Sequence, residues 1–463
     1  MTFPDQISSS ISFKDPDGFV FKEQGIWYRA ITSRGLLSLR KLTDSGLYQQ
    51  LVQQNILLRH EELQGLSIPN VAAVIRPEQV PFISYSCEWS HEQLRDAALV
   101  TLRAHQQALE KGMWMADANS ANIQFVKGRP ILLDTLSLKA RDGEGPWPAY
   151  RQFCEHFLGP LALSTYANPT VLRGLSAFPD GMPLPMVSAM LPLRSWLRPG
   201  LLLHLHLHAR AISTYTGSRG RQAVKPAKIS KESLLGLAQG LESCVSSLNL
   251  RNRSKAWLNY YAEDMLDAQY LPHKRQLVGD WLKRVEAKLV GDFGANTGEF
   301  SKLAHECGAE VVSLEGDPLC VDEIYDRLCR REQRPVLPLV ANLAQPTPAS
   351  GWNAAERSDL FQRCRFDAVL ALALVHHLAI ACNVPLRLIA EMFARFSRHL
   401  IIEFVPKQDA NTQRLLKCRE DIFPDYTEEH FSEAFGRHFE ILDRVVLKGT
   451  ERCLFLMKNR KQM

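Results

Sequence analysis

The chain has 463 residues, enough for two or three domains of ordinary size. Hydrophobic residues make up 46% and charged residues 23% of the sequence, a globular composition that excludes collagen-like, coiled-coil and disordered proteins. With 55 Lys and Arg against 50 Asp and Glu, the net charge is +5, which is too small to indicate a nucleic-acid-binding protein. No apolar run reaches the ~20 residues of a membrane span, and the polar N-terminus lacks the apolar region of a secretory signal. We therefore expect a cytoplasmic protein.

Composition divides the chain into three predicted parts. Residues 1–212 alternate predicted strands and helices, which indicates an N-terminal α+β domain. Residues 213–274 open with a stretch rich in Lys, Arg, Gly and Ser and continue with leucines at helical spacing, which predicts a basic linker and a helical connector. Residues 275–463 alternate helices and strands in the order of a doubly wound α/β sheet.

The N-terminal part carries three polar residues around a predicted hairpin. A helix over 93–109 precedes Asp117, Asn122 follows five residues later, and two strands within 123–133 lead to Asp134. This arrangement resembles the catalytic loop and metal-binding strand of protein kinases and aminoglycoside phosphotransferases. The resemblance implies a kinase-like fold in which Asp117 is the base and Asn122 and Asp134 bind magnesium for ATP.

The match to that family is incomplete. Met115 and Ala116 precede Asp117 where kinases have a histidine-bearing triplet, and Asp134 is followed by Thr-Leu instead of Phe-Gly. Polar residues of these types also stabilise ordinary turns. A kinase-like domain without phosphotransfer activity and an unrelated α+β domain therefore both remain open.

The most informative motif lies between two predicted strands of the C-terminal part. A strand over 289–293 leads into the turn Gly294–Gly298, which has Asn296 at its centre, and a helix follows directly. Glycine in such a turn permits positive φ and a close approach of ligand. The next strand, 310–314, is followed by Glu315, about 20 residues after the turn, where a carboxylate is placed to bind the hydroxyl pair of a ribose.

The charge of this region indicates which nucleotide it suits. A dinucleotide site has three glycines at fixed spacing because pyrophosphate rests against the helix N-terminus. Here Asn296 stands at the middle position, and Asp292 lies two residues before the turn, where a carboxylate would repel pyrophosphate. S-adenosyl-L-methionine carries a positive sulfonium, an ammonium and no phosphate. Asp292 and Glu315 together therefore favour S-adenosyl-L-methionine over NAD.

Further strands of the same sheet are predicted at 336–340, 366–374 and 399–404, with a final antiparallel hairpin within 441–458. His376 and His377 follow the fourth strand of the sheet, and Glu403 ends the fifth. Each could act as a general base that takes a proton from a hydroxyl or amine acceptor. Methyl transfer from an activated sulfonium also proceeds by alignment alone, so the use of a base remains open.

In this order and spacing, the C-terminal motifs resemble class I S-adenosylmethionine-dependent methyltransferases. The motifs are GDFGANTGEF, VVSLEGDP, FDAVLALALVHHL and IIEFVPK. With GPWPAYRQFCEHFLGPLAL from the N-terminal half, the whole chain is similar to a bacterial group of such enzymes that includes a rhizobial host-specificity nodulation protein. The resemblance implies a Rossmann-like fold. It implies that the methionine end of the cofactor lies against Asp292, Gly294, Asn296 and Gly298. The ribose would then bind Glu315, and the adenine would lie against Asn342 and Leu343.

Three functions follow from these observations. The first is a methyltransferase, without a metal, that acts on a small-molecule or glycan acceptor; the nodulation resemblance suggests a carbohydrate or lipo-oligosaccharide hydroxyl. The second is a bifunctional protein that also transfers phosphate from ATP. The third is a non-catalytic nucleotide-binding protein. Asp292, the glycine turn and Glu315 favour the first, and the sequence gives no indication of the oligomeric state.

Overall fold

The computed structural model describes residues 12, 14–64, 68–217, 228–250, 268–417 and 419–461. It forms two compact units: residues 1–253 with 349–358, and residues 254–348 with 359–463. Much of the predicted basic linker, including Arg219, Arg221 and Lys225, lies outside the described residues, and the predicted boundaries at 212 and 274 stay predictions. None of the described helices is long and apolar enough to cross a lipid bilayer.

The first unit begins with a four-stranded antiparallel sheet in the order β1-β2-β4-β3. Its strands are β1 (Gly18–Glu23), β2 (Ile26–Ile31), β3 (His60–Leu63) and β4 (Ala73–Pro77). Helices Ser33–Asp44 and Leu47–Gln53 connect β2 to β3. Apolar residues alternate along the strands, so that Tyr28 and Ala30 join one buried cluster while Ile31 joins another with Leu39.

Helix His91–Glu110 and two short two-stranded sheets follow the first sheet. Ser90 caps the helix by accepting a hydrogen bond from the Gln93 N–H. The strands are β5 (Met113–Met115), β6 (Ile123–Val126), β7 (Arg129–Leu132) and β8 (Leu138–Ala140); β6 and β7 form a hairpin, and β5 pairs with β8. The predicted helix and hairpin are confirmed, and the unit is α+β as expected.

Between residues 150 and 247 this unit is mostly helical where the structure describes it. Its helices span Tyr150–Phe153, Cys154–Leu158, Gly159–Tyr166, Pro169–Ala177, Leu184–Met190, Leu193–Leu197, Pro199–Leu201, Leu202–Leu207, His208–Gly217 and Lys231–Ser247. Several of these segments are consecutive and differ only in the local helical pitch.

The second unit is a doubly wound sheet of seven strands in the order β11-β10-β9-β12-β13-β15-β14. The strands are β9 (Leu289–Phe293), β10 (Glu310–Glu315), β11 (Val336–Val340), β12 (Phe366–Ala371), β13 (Ser397–Phe404), β14 (Phe439–Val446) and β15 (Cys453–Asn459). Strands β9 to β13 are parallel, and β15 runs antiparallel to both of its neighbours. The predicted Rossmann-like sheet and final hairpin are confirmed.

Helices connect these strands. They span Tyr270–Arg284, Glu299–Glu306, Pro318–Ile324, Tyr325–Arg331, Leu360–Arg363, His377–Ala381, Leu386–Ala394, Ala410–Leu416 and Glu428–Gly436. Strand β11 is buried at all five positions, as expected for a parallel strand covered on both faces. The strand order reverses between β9 and β12, so the crevice at their carboxyl ends is where such a sheet binds ligands.

Candidate active site

The turn after β9 holds three residues with left-handed backbone. Their φ angles are 75° at Gly294, 47° at Asn296 and 80° at Gly298. A Cβ atom on Gly294 would lie 3.2 Å from Leu374 Cδ1, and one on Gly298 would lie 3.0 Å from Ile324 Cγ1. A side chain at either glycine would therefore be strained by the left-handed backbone and would lie too close to the neighbouring side chain. Asparagine tolerates left-handed backbone better than most residues, which explains its place at the centre of the turn.

Glu315 connects the glycine turn to the ends of two further strands. Its Oε2 accepts a hydrogen bond from the Asn296 N–H at 2.7 Å, and its Oε1 accepts one from the Asp317 N–H at 3.0 Å. The Ala341 N–H donates to the Glu315 carbonyl at 2.8 Å. Burial raises the pKa of the Glu315 carboxyl, and the backbone donors oppose that rise. The carboxylate thus lies where β9, β10 and β11 end.

Asp292 is buried beneath the same turn, with 2% of its surface exposed. Its Oδ2 accepts a hydrogen bond from Ser301 Oγ at 2.5 Å, and Ser301 Oγ lies 2.8 Å from Ser313 Oγ. Burial raises the pKa of Asp292 to about 6, the Ser301 donor lowers it, and the charge of Glu315 raises it further. A cation bound beside Asp292 would offset the cost of ionising it.

The predicted adenine-binding residues follow β11. The Asn342 Oδ1 accepts a hydrogen bond from the Ala344 N–H at 2.9 Å, which fixes the start of the loop. Leu343 is 8% exposed. The residues predicted to bind the cofactor are therefore brought together at the carboxyl ends of three adjacent strands, and the chemistry of the set, two carboxylates and no arginine or lysine, fits a cationic nucleoside.

The backbone bends sharply between β12 and the predicted base residues. Ala373 has φ 49°, a left-handed value that is uncommon for alanine and is found where surrounding structure enforces it. This conformation ends β12 at Ala371, whereas the sequence predicted a strand to 374. The bend directs the chain into the buried segment that carries His376.

His376 is fully buried, and neither of its ring nitrogens has a hydrogen-bond partner among the residues that the structure describes. Its ring centroid lies 4.2 Å from that of His377. Burial lowers the pKa of both imidazoles, and for His376 the nearby His377, Arg452 and Lys274 lower it further. His376 is therefore neutral at pH 7, with one nitrogen able to accept a proton.

Glu403 lies at the centre of a buried polar cluster, which we call the Glu403 network and which consists of Tyr270, Lys274, Glu403, Asp409 and Arg452. Glu403 accepts hydrogen bonds from Tyr270 Oη at 2.7 Å and from Lys274 Nζ at 2.6 Å. Arg452 donates to Tyr270 Oη at 3.0 Å and, through two nitrogens, to Asp409 at 2.7 and 3.0 Å. Lys274, Glu403 and Arg452 are at most 1% exposed.

Protein partners already engage the Glu403 carboxylate. Although burial alone would raise the pKa of Glu403, the charges of Lys274 and Arg452 hold it below its ordinary value. The two carboxylate oxygens already accept hydrogen bonds, Oε1 from Tyr270 Oη and Oε2 from Lys274 Nζ. The sequence could not indicate the network, because Tyr270 and Lys274 precede Glu403 by more than 120 residues.

The three predicted phosphotransfer residues of the first unit are engaged with protein partners. Asp134 Oδ1 lies 3.1 Å from Arg29 Nη2, and burial raises the pKa of Asp134 while Arg29 lowers it. Asp117 accepts a hydrogen bond from Gln152 Nε2 at 2.7 Å, and Asn122 Nδ2 donates to the Asp117 carbonyl at 3.3 Å. Within the described ranges, no group of three or more His, Cys, Asp or Glu is placed to hold a metal ion. The magnesium and ATP roles stay predictions.

The order of the seven strands, the single reversed strand, the glycine turn after the first strand and the acid after the second together define a class I S-adenosylmethionine-dependent methyltransferase. The cofactor of this enzyme class is S-adenosyl-L-methionine. The chain belongs to the family of nodulation protein NoeA of Rhizobium meliloti (strain 1021), with which it is 33% identical over 462 residues, covering 96% of this chain and 94% of NoeA. No family model matches the chain.

Parts of solved structures also superpose on the chain. The N-methyltransferase NodS from Bradyrhizobium japonicum WM9 is 11% identical, with 42% of this chain and 99% of NodS covered and a TM-score of 0.31. The magnesium protoporphyrin IX methyltransferase ChlM from Synechocystis PCC 6803 with bound SAH is 17% identical, covering 44% and 92%, with a TM-score of 0.31. The bifunctional kinase-methyltransferase WbdD is 13% identical, covering 44% and 43%, with a TM-score of 0.32. The strand order alone defines the fold of the second unit, independently of these similarities.

We expect the affinity for S-adenosyl-L-methionine to fall at acidic pH. Because the pKa of Asp292 is raised from 3.8 to about 6 in the folded chain, ionising the carboxyl costs stability, and a cationic ligand bound beside it would offset that cost. Below this pKa the carboxyl is protonated and cannot attract the ligand, so each further pH unit should weaken binding by up to about tenfold. Titration calorimetry across this range measures the effect. The Asp292→Asn variant should bind S-adenosyl-L-methionine weakly at every pH. If the affinity of the native chain did not change with pH, this would contradict the predicted binding role of Asp292.

Proposed function

We propose that the chain transfers the methyl group of S-adenosyl-L-methionine to a hydroxyl of a carbohydrate-containing acceptor, and that His376 binds and deprotonates this hydroxyl. The observation that carries the proposal is that His376 is fully buried and that neither of its ring nitrogens has a hydrogen-bond partner among the described residues. Buried polar atoms are nearly always hydrogen-bonded, and leaving one without a partner is costly. An acceptor hydroxyl that donates to the imidazole would remove this cost.

A second buried group supports the same location. Helix Ala410–Leu416, which follows β13, packs against His377–Ala381. Thr412 on this helix is fully buried, and its Oγ1 has no hydrogen-bond partner within the described part of the chain. A carbohydrate presents hydroxyls on neighbouring carbons and can therefore supply partners to more than one such group.

The buried charges of the Glu403 network favour a hydroxyl over an amine. An amine acceptor arrives as an ammonium ion at neutral pH and needs a carboxylate to receive it. The two carboxylates of the Glu403 network, Glu403 and Asp409, are already paired with Lys274 and Arg452. A neutral hydroxyl requires no such partner.

A groove with a volume of about 480 Å³ is lined by residues that follow β12 and β13. Ala379 and Asn383 line it from the chain after β12, and Phe423 and Tyr426 line it from the chain after β13. Aromatic rings with polar neighbours suit the mixed apolar and hydroxyl faces of a sugar.

The chemistry assigned to the chain is modest. When bound, S-adenosyl-L-methionine would supply a methyl group on a positively charged sulfur, and that sulfur would keep the electron pair of the broken C–S bond. His376 accepts the hydroxyl proton as the acceptor oxygen forms its bond to the methyl carbon, so the imidazole becomes cationic and later releases the proton to water. Asp292 and Glu315 hold the cofactor, and alignment of oxygen, carbon and sulfur supplies much of the remaining rate.

The test is transfer of labelled methyl from S-adenosyl-L-methionine into the carbohydrate fraction of a bacterial extract, with the product identified by mass spectrometry. His376→Ala should lower the transfer rate by about 100-fold or more, while the affinity for the cofactor changes little. His399→Ala is the matched control. His399 lies near the start of β13, away from the carboxyl ends of the strands, so its replacement should leave the transfer rate unchanged. Label on nitrogen or on protein, or full activity of His376→Ala, would contradict the proposal.

A further inference from the structure

Large apolar side chains are exposed in one helical region of the first unit. Of the eleven large hydrophobic residues exposed among the described residues, five lie within 18 positions of one another. They are Met190, Leu193, Leu197, Leu203 and Leu207, with exposures from 44% to 85%. Helices Leu184–Met190 and Leu193–Leu197 both pack against Leu202–Leu207, so the five side chains lie on adjoining helical segments. Clustered exposure of this kind marks an interaction surface more often than single exposed leucines do.

The same region lacks acidic residues. No Asp or Glu occurs between Asp180 and Glu232, although acids and bases are nearly balanced in the whole chain. Three arginines, Arg194, Arg198 and Arg210, are exposed among the leucines. Arg194 and Arg210 lie over the rings of Tyr166 and Trp196, at 5.4 and 4.7 Å from the ring centroids. The surface is therefore both apolar and positively charged.

Buried contacts of His206 connect the helical segments that carry the exposed apolar side chains. His206 lies beneath the surface, with Nδ1 2.8 Å from Ser188 Oγ and Nε2 2.8 Å from Ser195 Oγ. Its ring stacks on Trp196 at 4.2 Å. Both nitrogens of one buried imidazole thus join the three helical segments, and these contacts hold the leucines at the surface.

We propose that this surface, formed by the exposed side chains of residues 190–210, docks on a membrane that is rich in anionic phospholipids. Leucine and methionine side chains enter the boundary between headgroups and acyl chains, while arginines pair with lipid phosphates and bury their apolar stems. A second copy of the chain fits poorly, because the same surface would bring cations against cations. Nucleic acid fits poorly as well, because its phosphate backbone offers no partner for five apolar side chains.

The proposal does not depend on the methyl acceptor and can be tested without it. The full chain should sediment with phosphatidylcholine vesicles that contain phosphatidylglycerol and remain in solution with phosphatidylcholine alone. Added salt should weaken the binding, because the arginine contribution is screened. Arg194→Gln with Arg198→Gln should weaken it by about tenfold or more, and Leu193→Ser with Leu197→Ser by a similar factor.

Matched variants elsewhere in the unit control for general effects. Leu37→Ser changes a residue that is 75% exposed, and Arg59→Gln with Lys111→Gln removes two exposed charges; both should bind vesicles like the native chain. Unchanged circular dichroism and cofactor affinity establish that each variant is folded. Failure of the native chain to bind anionic vesicles would overturn the proposal. So would a concentration-dependent dimer that the leucine variants dissociate while vesicle binding persists, since the surface would then serve self-association.

Discussion

Glu403→Ala lowers the free energy of unfolding by about 3–5 kcal/mol. The substitution leaves the cations of Lys274 and Arg452 without their central carboxylate, in a site where neither side chain is more than 1% exposed. Breaking a buried ion pair on one side is costly for this reason, whereas replacing both partners with apolar groups is much less so. Urea denaturation followed by circular dichroism measures the change.

Two further variants make this expectation specific. Glu433→Ala removes a glutamate whose side chain is 64% exposed and which pairs with Arg437, the residue that follows its helix; its effect should be small. Lys274→Met combined with Glu403→Leu removes charge from both sides and should recover much of the lost stability. A loss below about 1 kcal/mol for Glu403→Ala would mean that the network is not held as the structure has it.

Glu315→Ala should weaken the binding of S-adenosyl-L-methionine by about 100-fold or more. A carboxylate that accepts from two ribose hydroxyls contributes roughly 1.5–3 kcal/mol per hydrogen bond. The substitution also removes the acceptor of the Asn296 and Asp317 N–H groups, so the glycine turn loses a support. Calorimetric titration of the cofactor measures the affinity.

Glu310, at the other end of β10, provides the comparison for Glu315. It is exposed, and Glu310→Ala should leave the affinity unchanged. Glu315→Gln keeps one oxygen acceptor without the charge and should fall between the native chain and the alanine variant. If Glu315→Ala and the native chain bound S-adenosyl-L-methionine with equal affinity, the Glu315 carboxylate would not be part of the cofactor site.

Local patterns sufficed to predict the parts of the fold that depend on local physics. Strands β9 and β11 have the predicted bounds, because buried parallel strands are short apolar runs bordered by turn residues. The glycine turn and Glu315 were predicted for the same reason. Their spacing in the chain fixes their spacing at the edge of the sheet.

Local sequence patterns could not predict the contacts between segments that are distant in the chain. Glu403 was predicted as a possible base from its place at the end of a strand, yet Tyr270, Lys274 and Arg452 give it different surroundings. Nothing in the local sequence around Ala373 predicts its positive φ, which ends β12 early. Thr412 had no motif of its own; its unpartnered burial emerges only from packing.

The balance of charge in the Glu403 network limits how this family can diverge. Two cations and two carboxylates are enclosed together, so a mutation that removes one of them leaves a surplus charge that water cannot reach. A lineage can lose these residues only through compensating substitutions. Among homologues, positions 274, 403, 409 and 452 should therefore vary in concert, and an ancestor with only one of them altered would have been under pressure to revert.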